Sequence, residues 1–243
     1  MRRCNPHVIR TKTGMKIISL KALAVILLAA SSMRGNAQEL EFAIHADPVI
    51  SWMGSNSSDY SNEGARSGFD IGLNVLHYFD DNYAISTGIS LLSAGGRQSV
   101  AEPHIMIFNN LQPQVQPGEE IRYNLQYMSI PAGIRLQTDQ VGYLTYFTDM
   151  GFDIRLLIKS TVDLPANQPP INNENARKEV NGMNAGWHIH AGIEYELNIN
   201  LDLIAGIGFD QDFFDITKDL KDVDQPKDRS GMRMVRIRLG LKF

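Results

Sequence analysis

The most informative stretch of this sequence is Val235-Arg236-Ile237-Arg238-Leu239-Gly240-Leu241-Lys242-Phe243, in which every second residue is apolar. The residues between them are three cations and a glycine. Strict alternation predicts a β-strand with hydrocarbon on one face and fixed charge on the other. Such a strand separates two solvents, and an aromatic last residue is expected where a membrane barrel closes on its final strand.

Seven earlier segments show the same alternation, so the sequence predicts eight strands. They cover residues 40–52, 68–79, 83–94, 121–136, 142–156, 182–197 and 200–214, followed by the C-terminal strand. Short connections at 80–82, 138–140 and 198–199 alternate with long polar segments at 53–67, 95–120, 159–181 and 215–230. Outer-membrane barrels have short periplasmic turns and longer outside loops, so we expect both chain ends on the periplasmic side.

The composition favours membrane-crossing strands over membrane-crossing helices. Mean hydropathy is −0.19, and beyond the first 37 residues no apolar run is long enough to span a bilayer as a helix. Barrel strands alternate lipid-facing and lumen-facing residues, which keeps average hydropathy low. The net charge of −4 argues against nucleic acid binding, which requires an excess of basic residues. We therefore predict an all-β fold, an eight-stranded antiparallel up-and-down transmembrane β-barrel in the outer membrane.

The first 37 residues have the layout of a secretory signal peptide. A short basic region precedes the apolar run 22–30, and Gly35-Asn36-Ala37 supplies the small residues that a signal peptidase reads. The apolar run is too short to span a membrane. We expect residues 1–37 to be removed and residues 38–243 to form the barrel domain.

Processing also decides the chemistry of the mature chain. The start codon is either Met1 or Met15, and in both cases Cys4 is absent from the mature protein. Because Cys4 is the only cysteine, the barrel is expected to have no disulfide and no reactive thiol.

The fourth predicted strand changes phase part-way along. Tyr123, Leu125 and Tyr127 share one phase, whereas Met128, Ile130, Ala132, Ile134 and Leu136 share the other. A bulge within residues 127–131 would reset the phase. Pro131 cannot donate a ladder hydrogen bond, which also favours a bulge there.

The same strand carries a sequence, Tyr127-Met128-Ser129-Ile130-Pro131-Ala132-Gly133-Ile134-Arg135-Leu136, that resembles the Tyr-x-x-Ile-Pro-x-x-x-Lys/Arg motif of the PorT-like, porin-family outer-membrane β-barrels of Bacteroidota. The glycine-containing segment 142–152 and the terminal Phe243 resemble that family too. Ser129 stands where the family usually has Glu. The resemblance implies a small barrel of the OmpA or OmpX type. Most members have no defined activity, and some are linked to secretion machinery.

Charged residues opposite the apolar faces would point into the barrel. They are Glu41, His45 and Asp47 on the first strand, Arg236, Arg238 and Lys242 on the last, and Asp149, Asp153, Arg155, Glu194, Glu196 and Asp202 elsewhere. If Leu40 lies beside Phe243, the pairs across the closing seam are Glu41 with Lys242, His45 with Arg238 and Asp47 with Arg236. The interior of an eight-stranded barrel is about filled by side chains, and unpaired buried charge is costly. We interpret the set as a salt-bridge network that holds the barrel closed; a narrow charged pore is the alternative.

Two further sets of residues are candidates for metal binding or catalysis. His188-x-His190 places two imidazoles on one strand face, a spacing that suits metal ligation, although a hydrogen-bonded pair in the lumen is favoured. His77 with Ser86 and Ser90 is the candidate set for a lipid-modifying hydrolase or acyltransferase, but no Gly-x-Ser-x-Gly motif is present. We expect no catalytic activity, no metal and no cofactor.

Aromatic residues and loops predict how the barrel meets its surroundings. Two interfacial tiers are expected, with Phe79, Tyr83, Tyr195 and Phe243 near the periplasm and Trp52, Tyr123, Trp187 and Phe213 near the long loops. Segments 112–118 and 165–170 are rich in Pro, Asn and Gln, which predicts solvated loops or contacts with another envelope protein.

The predicted role is structural or interaction-based within the cell envelope. A narrow pore is the first alternative and a lipid-modifying enzyme the second. A soluble lipid-binding barrel is disfavoured, because charge lies opposite the broad apolar face. The expected partners are outer-membrane lipid, envelope or secretion-system proteins, and the barrel assembly machinery; nucleic acid is not expected. The assembly machinery would recognise Ile237, Leu239, Leu241 and Phe243 as a C-terminal signal.

Overall fold

The computed structural model describes residues 40–55, 60–108, 111–218 and 230–243, so the predicted signal peptide lies outside the described residues. Within these ranges the strands are β1 Leu40–Ser55, β2 Tyr60–Gly64, β3 Arg66–Asp80, β4 Tyr83–Val100, β5 His104–Ile105, β6 Gln114–Val115, β7 Glu120–Gln137, β8 Leu144–Leu164, β9 Ile171–Asn175, β10 Met183–Asn198, β11 Leu201–Asp212 and β12 Ser230–Lys242. The part of the chain that the structure describes contains no helix long and apolar enough to cross a membrane.

Eight strands form a closed antiparallel barrel, as predicted. The order around the wall is β1, β3, β4, β7, β8, β10, β11 and β12, and β12 pairs with β1 to close it. β2 pairs with β4 and β9 with β8, so these short strands extend the wall at the long-loop end. β5 and β6 form a separate two-stranded sheet within the connection between β4 and β7.

The strands are staggered as a closed barrel requires. The stagger can be measured by starting at Ser90 on β4 and stepping to the paired residue on each neighbouring strand. In one direction this path passes through Ser129 on β7 and reaches Arg155 on β8. In the other direction, around β3, β1, β12, β11 and β10, it reaches Thr145 on the same strand. The two arrival points are ten residues apart. This offset tilts the strands against the barrel axis and lets the sheet close on itself.

The strands run farther toward the long loops than predicted. β4 continues to Val100 and β8 to Leu164, where the sequence predicted loops from residues 95 and 159 onward. Above the membrane neither face of the wall has to be apolar. The period-two hydrophobic signal therefore fades there, although the backbone ladder continues.

The outer surface of the barrel wall is apolar in the middle. Large exposed hydrophobic side chains on every barrel strand point away from the lumen, including Ile44, Ile71, Ile89, Ile134, Phe152, Ile189, Ile207 and Ile237. Exposed hydrocarbon over such an area requires an apolar surrounding phase. The uniformly apolar face predicted from the sequence is therefore the outer one.

The fourth barrel strand, β7, corrects the sequence interpretation. Its odd-numbered residues face inward throughout, from Ile121 to Arg135, so the strand has no phase change. The bulge lies in the partner strand instead: Gln126 pairs with Lys159 and Tyr127 with Leu157, which leaves an extra residue in β8. The apparent change of phase arises because the inward residues of β7 are large and apolar in its first half, whereas those in its second half are Ser129, Pro131, Gly133 and Arg135.

Because the facing of β7 was misread, the position of Tyr123 was also predicted wrongly. It was predicted to lie at the outer membrane interface, but its ring is buried inside the barrel. Trp52, Trp187 and Phe213 do lie on the outer surface, and Trp187 and Trp52 both pack on Phe209, with ring centroids 5.6 and 6.5 Å away.

Candidate functional site

The lumen contains two layers of different chemistry. The half nearer the short turns holds charged and polar side chains, which we name the ion-pair layer. The half nearer the long loops holds a buried apolar cluster, which we name the apolar cap. The cap comprises Val49, Met53, Leu92, Ala94, Val100, Met106, Phe108, Val115, Ile121, Tyr123, Leu125, Tyr127, Leu157, Val162, Leu164, Ala176, Val180, Ile216, Met232 and Met234.

Arg236 organises the centre of the ion-pair layer. Its Nη1 donates to Asp70 Oδ2 at 2.6 Å, and its Nε and Nη2 donate to the two carboxylate oxygens of Asp210, each at 2.9 Å. Asp47 Oδ2 lies 3.7 Å from Nη1. The bidentate contact with Asp210 has the fork geometry that makes guanidinium–carboxylate pairs strong.

Arg155 forms a second centre, next to the apolar cap. Its side chain is fully buried, and it donates to Asp212 and, at 3.1 Å, to Asp153 Oδ2. Asp210 Oδ1 lies 3.5 Å away and so links this centre to Arg236. A guanidinium out of contact with water is tolerable only with such paired acceptors.

Two cations hold the layer together nearer the short turns. Arg135 Nη2 lies 2.9 Å from Glu194 Oε1, and its guanidinium stacks 3.9 Å above the ring of Phe147. Lys242 Nζ donates to Glu194 Oε2 at 2.6 Å and lies 3.0 Å from Glu41 Oε2. Glu194 therefore joins β7 to β12 through its two oxygens.

Most of the predicted lumen residues meet in this layer. They are Glu41, Asp47, Asp149, Asp153, Arg155, Glu194, Asp202, Arg236, Arg238 and Lys242, each within 4.0 Å of an opposite charge. Glu196 was predicted to belong to it but lies at the short-turn rim, where it accepts a hydrogen bond from Gln140. His45 is buried, and its Nε2 lies 3.9 Å from Asp70 Oδ2.

The predicted register across the closing seam was wrong by two residues. Phe42, not Leu40, pairs with Phe243: each backbone N–H donates to the other's carbonyl, at 2.9 and 2.8 Å. His45 consequently faces Gly240 rather than Arg238. Glu41 still reaches Lys242, because both side chains are long enough to span the diagonal.

Four members of the layer were not identified from the sequence. They are Asp70, Arg135, Asp210 and Asp212, all buried. Asp70, Asp210 and Asp212 lie in the inward phase of strands whose outward faces were correctly recognised, so the alternation itself could have identified them. Arg135 was missed because the supposed bulge left the facing of that strand undecided.

The buried charges do not balance among the described residues. Seven carboxylates in the barrel strands are buried, Asp47, Asp70, Asp149, Asp153, Asp210, Asp212 and Glu194, against five cations, Arg135, Arg155, Arg236, Arg238 and Lys242. His188 Nδ1 lies 3.1 Å from Asp153 Oδ2, and His190 Nε2 lies 3.6 Å from Asp210 Oδ1. Both histidines therefore lie against carboxylates of the ion-pair layer.

His188 and His190 are directed at two different carboxylates. The rings of His188 and His190 stack with centroids 4.7 Å apart, and each faces a different aspartate. Within the described ranges one group has metal-ligand spacing, His45, Asp47 and Asp70, with ligand atoms within 4.8 Å of one another. The guanidinium of Arg236 already lies 2.6 Å from Asp70, so this position holds a cation supplied by the protein itself.

The residues considered for hydrolysis are not brought together. Ser86 and Ser90 are buried on the lumen face of β4, whereas His77 lies in the outward phase of β3. The imidazole of His77 and the hydroxyls of Ser86 and Ser90 lie on opposite faces of the wall, so His77 does not pair with either serine.

The long connections supply part of the apolar cap. Met106, Phe108 and Val115 come from the connection between β4 and β7, Val180 from the one between β8 and β10, and Ile216 from the one between β11 and β12. Segment 112–118 is therefore not simply a solvated loop as predicted, because Val115 is buried. Segment 165–170 is largely exposed.

Hydrogen bonds tie these connections to one another. The buried Glu179 carboxylate accepts from the Ile107 backbone N–H at 2.6 Å, and the Lys218 N–H donates to the Glu179 carbonyl at 2.8 Å. Asn181 Nδ2 donates to the carbonyls of Asp215 and Thr217. Burial raises the pKa of the Glu179 carboxyl, although the Ile107 N–H and Lys218 act in the opposite direction.

The opposite mouth of the barrel is a polar vestibule of about 340 Å³. Glu41, Glu194, Asp202 and Lys242 form its inner end, and turn residues around Asp139 form its rim. The vestibule therefore stops at the ion-pair layer. Solutes entering from the short-turn end meet the contacts of Lys242 before they reach the centre of the lumen.

Comparison with solved structures finds several similar proteins. Neisserial surface protein A is similar over 83% of this chain and 95% of its own, at 14% identity and a TM-score of 0.42. The outer membrane protein OprG of Pseudomonas aeruginosa is similar over 86% and 98%, at 12% identity and a TM-score of 0.46. The attachment invasion locus protein Ail of Yersinia pestis is similar over 86% and 100%, at 10% identity and a TM-score of 0.42.

Comparison with curated proteins finds no significant sequence match. A family described as outer membrane protein beta-barrel domain matches residues 31–218, most of the chain. Together with the closed eight-stranded wall and its apolar exterior, this match gives both family and location: the chain belongs to the outer membrane protein beta-barrel domain family and resides in the outer membrane.

Proposed function

We propose that the protein is a sealed outer-membrane barrel with a structural or interaction role in the cell envelope. The observation that carries the proposal is the filling of the lumen by two successive layers. Ions entering from one side meet the paired charges around Arg155 and Arg236, and ions entering from the other meet buried apolar side chains such as Phe108. An apolar layer without water is a barrier to ions because they would lose their hydration there.

Conductance tests this proposal. The refolded mature chain is inserted into a planar bilayer, and insertion is checked on the same preparation by heat-modifiable mobility. We expect no current steps above those of protein-free bilayers. Discrete steps that scale with the amount of inserted protein would contradict the sealed barrel and support the narrow-pore alternative.

The interaction part of the proposal concerns the surface beyond the membrane. The described parts of the connections that contribute to the cap are hydrogen-bonded to one another, which favours a preformed surface for other envelope molecules. Segment 165–170 projects from it as an exposed tip. Pre-ordered loops reduce the entropic cost of binding, which supports a recognition role for this end.

A photo-crosslinking residue at Gln168 tests for such a partner in native outer membranes. We expect protein adducts at this position and not at Ile237, a matched control on the lipid-facing surface. If both positions give the same adducts, the exposed tip does not recognise a partner.

We also propose the finer relationship to PorT-like barrels and their secretion-linked members. It rests on Tyr127, Ile130, Pro131 and Arg135, which fit the Tyr-x-x-Ile-Pro-x-x-x-Lys/Arg motif. In this barrel the motif has a physical use, because it brings Tyr127 into the apolar cap and Arg135 into the ion-pair layer. Co-purification with secretion components from a native membrane extract would test it, with Arg135→Gln as the comparison.

A further inference from the structure

The outer surface of the barrel has a recess at the upper edge of its apolar band. On β12 the outward residues Ile237 and Val235 are followed by Arg233, the first charge in that row. Trp52 and Gln211 pair with Arg233 from the two neighbouring strands. Arg233 and Gln211 thus place polar groups beside the Trp52 ring at one level of the wall, a combination typical of the lipid head-group region.

The recess, which we name the exterior recess, has a volume of about 250 Å³. It is lined by Gly54, Gln211, Asp212, Phe213, Phe214, Gly231 and Arg233. Gly54 and Gly231 pair across β1 and β12, so two adjacent positions of the wall have no side chain. A Cβ added at Gly54 would meet only the Arg233 guanidinium, at 3.9 Å. The missing side chains create the space beside that guanidinium.

Arg233 is the exposed cation of this recess and forms no salt bridge with any residue the structure describes. The nearest lining carboxylate belongs to Asp212, which points inward. One of its oxygens accepts from Arg155, and the other accepts from Asn184 Nδ2 at 2.9 Å. Among the described residues, no carboxylate occupies the hydrogen-bond donors of this guanidinium. A phosphate group matches their fork geometry.

Aromatic and aliphatic surface continues directly below the recess. Trp52 and Trp187 pack on Phe209, and Ile50, Ile207 and Val235 are exposed beside them. A soluble anion would use only the guanidinium. A lipid can place its phosphate on Arg233 and run its acyl chains over this apolar surface, so both parts of the site select a membrane lipid.

We propose that the exterior recess binds a phosphate-bearing lipid of the outer leaflet, with the phosphate on Arg233 and the acyl chains against the Trp52–Phe209–Trp187 surface. The site lies on the outside of the wall. The proposal is therefore independent of whether the lumen conducts, and a positive conductance result would leave it unchanged.

The test uses the mature chain in phosphatidylcholine vesicles containing a minor fraction of diphosphoryl lipid A, followed by native mass spectrometry of the extracted barrel. We expect one retained lipid A molecule on the wild type and about tenfold weaker retention on Arg233→Gln, the loss expected for a charge-assisted hydrogen-bonded contact. Lys178→Gln removes the same charge from an exposed loop position and should retain lipid like the wild type.

Gly54→Val fills the recess without changing any charge and should also reduce retention, which keeps the test decisive if Arg233→Gln folds poorly. Wild-type retention by both recess variants would overturn the proposal. So would equal retention of the same glycolipid after removal of its phosphates. Inorganic phosphate binding as strongly as the lipid would overturn the assignment to a membrane lipid.

Discussion

At the scale of single residues, burial separates the charges that matter for stability from those that do not. Arg155 is fully buried among three aspartates, whereas Arg97 is about half exposed and lies 3.7 Å from Glu120. Removing one partner of a buried group leaves uncompensated charge in the lumen, but an exposed pair loses little because water and salt screen it.

We therefore expect Arg155→Met to lower the free energy of unfolding by about 3–5 kcal/mol. Arg97→Met should change it by less than about 1 kcal/mol. Equilibrium urea unfolding in lipid vesicles measures both. Equal effects of the two substitutions would show that the ion-pair layer is not what holds the barrel closed.

Glu179 gives the outer connections a pH dependence. Its pKa is raised in the folded protein above the ordinary value of 4.5, because burial disfavours the charged carboxylate. A group with a raised folded pKa stabilises the folded form most at low pH, and this contribution is lost as pH rises through the folded pKa. We expect amide exchange around Ile107, corrected for intrinsic rates, to slow as pH falls from neutrality toward the ordinary value of 4.5.

Glu179→Gln keeps an acceptor for the Ile107 N–H and removes the titration. The variant should show no such pH dependence, while Glu102→Gln, at an exposed loop position, should behave like the wild type. If the pH dependence of amide exchange persists in Glu179→Gln, a group other than Glu179 causes it.

At the scale of elements, the sequence was sufficient to identify the barrel strands. It was insufficient to locate the ends of the strands or to decide which residues of β7 face the lumen. Alternation identified all eight barrel strands, since lipid on one side imposes an apolar row on each. It could not locate the ends of β4 and β8, because above the membrane that constraint disappears. It also misread β7, since an apolar residue facing the cap and one facing lipid look alike in a sequence.

The corrected facing of β7 can be measured directly. The mature chain is predicted to have no cysteine, so Met128→Cys and Tyr127→Cys each provide a single labelling position. A fluorophore at residue 128 should be quenched by brominated lipid, whereas residue 127 faces the lumen and should be protected. Equal quenching at both positions would contradict this facing and support the phase change predicted from the sequence.

The C-terminal strand carries a prediction that concerns assembly. Ile237, Leu239 and Phe243 are exposed on the outer surface, and Leu241 is partly covered. Phe243 stacks on Phe42, with ring centroids 6.3 Å apart, across the closing seam. We expect Phe243→Ala to slow folding through the assembly machinery in reconstituted vesicles and to leave unassisted folding in detergent nearly unchanged. Equal slowing in both systems would instead indicate a role in the seam alone.

At the scale of the whole molecule, the alternation of short and long connections predicts the orientation in the membrane. Ala166 lies at the exposed tip of one long connection and Asp139 in a short turn at the other end. We expect a membrane-impermeant maleimide to label Ala166→Cys on intact cells and Asp139→Cys only after the outer membrane is permeabilised. The reverse pattern would place the apolar cap in the periplasm.

Closure of the sheet limits how another protein can attach within the membrane. Along the eight-stranded wall each strand already has a neighbour on both sides, so its amides and carbonyls are engaged. Because the wall has no free edge strand, another polypeptide cannot bind to it within the membrane by adding a β-strand. Any companion in the bilayer must instead be recognised by side-chain shape or through shared lipid.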